Sequence, residues 1–152
     1  MVAPVRKLFC AVVFLVAFIF AGGWFFSGFF NSIPEDALHI KVTAFKWYWE
    51  FDYGNGIQTQ ELTIPVGRSV LLDITSGDVI HSFAIANYEI EQVINPGEKT
   101  TVLFSVEERG LTQVSCNVLC GEGHHDMIAN VKAVSVADFD AWYKDAKTEA
   151  EW

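Results

Sequence analysis

"HIKVTAFKWYWEFDY", His39 to Tyr53, decides the fold class. Its side chains alternate: Phe45, Trp47, Trp49, Phe51 and Tyr53 fall on one face, and Lys46, Glu50 and Asp52 on the other. That is the pattern of a strand with one face on a core. "GNG", residues 54–56, then turns the chain. Toward the C-terminus, "QELTIPVG", "RSVLLDITSG", "VIHSFAIANY", "IEQVINPG", "KTTVLFSVEERG", "LTQVSC" and "MIANVKAVSV" repeat the theme. Each is short and largely apolar, and Gly, Pro and Asn punctuate the series. So many short strands predict a β-sandwich or barrel.

The period changes once. In "ADFDAWYKDAKTEA", residues 137–150, Phe139, Trp142, Tyr143 and Ala146 share a helical face. Ser135 and Asp138 are spaced to cap its start. A short C-terminal helix on the sandwich is expected. No internal repeat or second globular domain is visible.

Toward the N-terminus, Leu8 to Phe30 carries no charge. A helix of that length crosses a hydrocarbon core of roughly 30 Å. A signal peptide has a shorter apolar region, of about 7–15 residues, and the run here continues past the small residues of "FAGG". The chain therefore reads as an N-terminal transmembrane anchor, 1–30, and an exported domain, 31–152. Arg6 and Lys7 before the anchor keep the N-terminus cytoplasmic and place the domain in the periplasm or its equivalent. Of ten Lys and Arg, eight remain beyond the anchor against nineteen Asp and Glu, a net charge of −11. Nucleic acid wants a basic footprint and is excluded as a partner. An acidic surface steers in a basic one.

The chemistry lies in "CNVLCGEGHHDM", Cys116 to Met127. Cys120 follows Cys116 by four residues, His124 follows Cys120 by four, and Met127 lies three further on. Spacing alone leaves a disulfide, a zinc site and a copper site open. The thioether favours copper, because zinc sites close with four N or S donors, whereas thiolate, imidazole and a weak thioether form copper's electron-transfer set. A mononuclear copper site needs one Cys, so the second thiolate points to two bridged coppers. That requires another imidazole. His81, in "DVIHSFAI", is better placed than His39, which sits ahead of the first strand. Cys10 lies within the anchor and reads as a small apolar residue.

"DVIHSFAI", "CNVLCGEGHHDM" and the aromatic "FKWYWEFDY", behind one anchor, together resemble subunit II of the heme–copper oxidases with its dinuclear CuA centre. The resemblance covers essentially the whole exported domain. It implies a cupredoxin-like Greek-key β-sandwich. It implies that Cys116 and Cys120 bridge two coppers, that His81 and His124 each bind one, and that Met127 and the backbone carbonyl of Val118 are weak ligands. His125 is off the motif's register. The implied function is electron entry into a membrane terminal oxidase, from a basic cytochrome c through CuA to heme in subunit I, where O2 is reduced. Trp47 matches the family's point of electron entry, although alternation places it on the core face; Tyr48 is the surface alternative.

Departures from the family pattern stand out. Val118 occupies a position where many relatives carry a Glu that also helps hold magnesium. The segment "EQVINPGEKTT" lacks the acidic-then-"PGR" pattern common in the main branch of the family, and one expected anchor stands where relatives usually have two. Together they mark a divergent branch, for which a nitric oxide reductase subunit is an alternative. A membrane-tethered copper carrier is the competing class.

Overall fold

A computed structural model describes residues 33–150. The anchor expected over residues 8–30 lies outside the described residues. Among the described residues, no helix is long and apolar enough to cross a membrane.

The described residues form ten strands and one α-helix: β1 Leu38–Phe45, β2 Tyr48–Asp52, β3 Gln58–Thr59, β4 Leu62–Pro65, β5 Val70–Ser76, β6 His81–Ile85, β7 Ile90–Ile94, β8 Thr100–Phe104, β9 Gly110–Ser115, β10 Ile128–Val134 and α1 Val136–Ala150. They make two five-stranded sheets, ordered β3-β2-β1-β5-β8 and β4-β10-β9-β6-β7. Within them β1 runs parallel to β5, and β4 parallel to β10. Their inner faces meet in one core, with Ile40, Val42, Trp49, Phe51, Leu72 and Ile74 opposite Leu62, Ile64, Phe83, Ile85, Val114 and Val131. This is the predicted β-sandwich.

The stretch that betrays the fold is not one strand. It breaks at Lys46–Trp47 into the hairpin β1–β2, in register Val42 with Phe51 and Ala44 with Trp49. Residues paired across antiparallel strands point to the same face. A two-residue turn therefore shifts the parity of the inward positions. Ile40, Val42 and Ala44 face in before the turn, and Trp49, Phe51 and Tyr53 after it. Of the five aromatics expected on one face, Phe45 is half-buried and Trp47 is 38% exposed in the turn. His39 falls within β1, exposed, rather than ahead of it.

α1 starts as its sequence predicts. Ser135 Oγ accepts from the Asp138 amide at 3.1 Å. Phe139 is buried, and Trp142, Tyr143 and Ala146 pack against the core.

Topology gathers several chain segments at one end of the sandwich. β1 and β5 are parallel, so the β1–β2 turn and the β5–β6 loop share that end. β6 starts there, β9 ends there, and β10 starts there. His81, Cys116 and Met127 thus arrive together from segments far apart in sequence.

Candidate metal centre

β6 is buried along its whole length, which fixes His81 with no exposed surface. Trp49 tilts against the imidazole with ring centroids 6.4 Å apart, and Phe83 packs edge-on against Trp49 at 5.3 Å. The ring is also oriented by a hydrogen bond, since Asp78 Oδ1 lies 2.8 Å from His81 Nε2. A carboxylate at Nε2 holds the proton there, so Nδ1 keeps the lone pair. Nδ1 is 3.9 Å from Cys116 Sγ.

Cys116 and Cys120 are both buried and both free. Their sulfurs are 3.7 Å apart, well beyond the roughly 2.05 Å of a disulfide. Around Cys120 Sγ stand His124 Nδ1 at 3.7 Å and Met127 Sδ at 3.8 Å. The Val118 carbonyl oxygen is 3.2 Å from Cys116 Sγ. All six expected donors therefore converge, with the two sulfurs between the imidazoles. His81, Cys116 and Cys120 alone place their ligand atoms within 4.8 Å of one another. His124 sits in a 3-10 turn, His124–Asp126, half-buried; His125 points outward and is not in the cluster.

Burial first, and the adjacent Cys116 thiol second, push the Cys120 thiol up to about 11. Two neighbouring thiols without a cation resist ionising, and a metal ion reverses that preference. Asp78 goes the other way. Burial would raise its carboxyl, but hydrogen bonds from His81 and from the Lys46 and Val79 amides outweigh burial and hold it below the ordinary carboxylate range.

Two supporting residues, Asp78 and Ser82, were not singled out from sequence. Asp78 orients His81, and a carboxylate three residues ahead of a candidate ligand was the available signal. Ser82 donates its amide toward Cys116 Sγ at 3.5 Å, while its hydroxyl accepts from the Asn117 amide at 2.7 Å. Gly123 lies under the indole of Trp47, a contact no sequence pattern announces. Trp47 itself reaches the loop, with Nε1 3.4 Å from the Cys120 carbonyl oxygen.

Residues 57–134 match the family described as cytochrome c oxidase subunit II, periplasmic domain. The chain belongs to the cytochrome c oxidase subunit II family. It is 31% identical over 122 residues to cytochrome c oxidase subunit 2 of Alkalihalophilus pseudofirmus, covering 79% of this chain and 36% of that protein. It is 25% identical to the Cereibacter sphaeroides subunit 2, covering 90% of this chain and 59% of that one. The chain thus spans well under two thirds of the length of these curated relatives. The crystal structure of the periplasmic domain of subunit II (CoxB) of Bradyrhizobium japonicum superposes with a TM-score of 0.71 at 26% identity, over 78% of this chain and 99% of that domain. The sandwich described above is therefore a subunit II domain, and its His/Cys cluster is a site that can hold metal.

Proposed function

We propose that this chain is the electron-entry subunit of a membrane heme–copper terminal oxidase, taking electrons from a basic cytochrome c and delivering them to heme in subunit I for O2 reduction. One observation carries the reading: two free, buried cysteines 3.7 Å apart, flanked by His81, His124, Met127 and the Val118 carbonyl. The donors fit copper. The two thiolates and the thioether are soft, the two imidazoles also suit copper, and together they exceed the four donors of a closed zinc site. Cys116 and Cys120 would bridge two copper ions, His81 and His124 would each hold one, and Met127 and the Val118 carbonyl would be the weak ligands. Copper held this way supplies one-electron redox chemistry shared over two ions.

The protein's part is to keep the donors still and dry. Burial of His81, Cys116, Cys120 and Met127 excludes water. Asp78 fixes the His81 ring, and Ser82 ties the start of the loop to β6. Ligands held by packing and by second hydrogen bonds move little when charge changes. Trp47, exposed on one side and in contact with the loop on the other, is the entry point. Residues 8–30 would anchor the domain on the periplasmic side beside subunit I. Exposed Glu122 and Asp126 on the loop suit a basic donor.

Copper analysis with electron paramagnetic resonance on the copper-loaded full chain tests this. Two coppers per chain sharing one unpaired electron are expected. A single localised copper, or retained zinc, would overturn the assignment.

A further inference from the structure

We infer that Gly123 is a positioning residue for electron entry: it is bare so that the Trp47 indole can lie against the loop between Cys120 and His124. The inference rests on the proposed function.

Two glycines of the loop face the indole, for different reasons. Gly121 has φ +123°, a backbone conformation that favours glycine by itself. Gly123 has φ −87° and ψ 14°, which any residue adopts. Its lack of a side chain is therefore not required by the backbone. It is required by Trp47, because a Cβ at 123 would stand 2.7 Å from both Cγ and Cε3 of the indole, inside van der Waals contact. At Gly121 the corresponding approach is 3.2 Å, to Cζ2. The ring thus lies over the loop with its Cγ–Cδ2–Cε3 edge at Gly123, the residue directly before His124, and its Nε1–Cε2–Cζ2 edge at Gly121, with Nε1 toward the Cys120 carbonyl.

The other end of the turn is fixed independently. The Lys46 amide, one residue before Trp47, donates to Asp78 Oδ2 at 2.7 Å, and the other oxygen of that carboxylate holds His81. The indole is therefore located from both sides of the donor cluster. Asp78 sets where the turn starts, and Gly123 sets how closely the ring approaches. With copper bound, one electron would leave the ferrous cytochrome and one would be gained at the cluster, and the closeness of that approach would set the rate.

The test is flash-initiated electron transfer from a ruthenium-labelled basic cytochrome c to the copper-loaded full chain. Gly123→Ala should leave the copper spectrum in place and slow entry about tenfold or more, the order of loss that misplacing a group by roughly 1 Å can bring. In a Trp47→Leu background, itself slow, Gly123→Ala should add nothing. Undiminished entry in Gly123→Ala overturns the inference, as does equal slowing in both backgrounds. Normal entry in Trp47→Leu removes Trp47 from the proposed function and this role with it. If Gly123→Ala fails to load copper, the double variant decides. Recovery on removing the indole confirms the clash, and continued loss shows that the loop itself needs Gly123.

Discussion

β2 joins two unlike ends of one sandwich. At its start, Trp47 and Trp49 lie beside the donor cluster. At its finish, Tyr53 meets α1, where its ring packs edge-on to Trp142 at 5.0 Å and tilts against Phe139 at 6.5 Å. The helix end is complete in itself. The buried Tyr53 hydroxyl donates to the Thr63 carbonyl at 2.9 Å and accepts the Thr63 amide at 2.7 Å, and burial drives its titration well above the ordinary tyrosine range. Every polar atom named there has a partner, and the rest is aromatic contact. The donor end is built otherwise. It buries two thiols, a thioether and an imidazole nitrogen whose mutual contacts are 3.7–3.9 Å, too long for strong hydrogen bonds. Among the described residues, the nearby buried Trp49 indole N–H has no hydrogen-bond partner. The lesson is a division of labour. The helix end satisfies its polar groups within the protein, while the donor end, part of the same buried core, holds groups that can take a metal.

That comparison can be broken. Phe139→Ala at the helix end should cost about 3–5 kcal/mol in denaturant unfolding, as deletion of a buried aromatic does, with the copper spectrum of the folded fraction unchanged. A lost spectrum would mean that the two ends are coupled. Asp78→Asn at the donor end should do the reverse. Copper affinity, read by competition with a chelator, should fall roughly 10- to 100-fold, the usual cost of losing a ligand's hydrogen-bond partner, while the metal-free chain loses only the modest stabilisation a depressed carboxyl lends the fold, far less than Phe139→Ala costs. A large loss of metal-free stability would show that the Asp78–His81 pair serves the fold first.

The smallest effect sharpens the baseline between the two ends. Glu61 takes hydrogen bonds from Lys132 and Asn130, and these hold its carboxyl below the ordinary range, Lys132 first. A depressed carboxyl stabilises the fold above its unfolded pKa of about 4.3, and that contribution is lost as pH falls through the lower folded value. Glu61→Gln should flatten the acid side of the stability curve by well under about 1 kcal/mol, since Lys132 and Glu61 are 45% and 43% exposed. A larger change would assign real stability to this surface network.

The amino-acid sequence by itself determined the strand-rich fold, the helix and the candidate donors. Turn residues, the helical face of Phe139, Trp142, Tyr143 and Ala146, and alternation away from the Lys46–Trp47 turn are local properties that packing did not override. Cys116, Cys120, His124 and Met127 lie within one loop, so their spacing was informative before any fold was known. His81 needed the sandwich, although its apolar neighbours had marked it. Tertiary structure alone decided the rest. The parity of the aromatic stretch depended on whether Lys46–Trp47 continued a strand or turned a hairpin, and only pairing with β5 and β3 on either side settles that. Trp47 moved from an expected core face to the surface for that reason. Asp78 and Gly123 acquire their roles from residues 32 and 76 positions away from each one's partner in the turn, Lys46 and Trp47. Such contacts leave no period and no motif, because a carboxylate's reach and a missing Cβ have meaning only when another segment is laid against them.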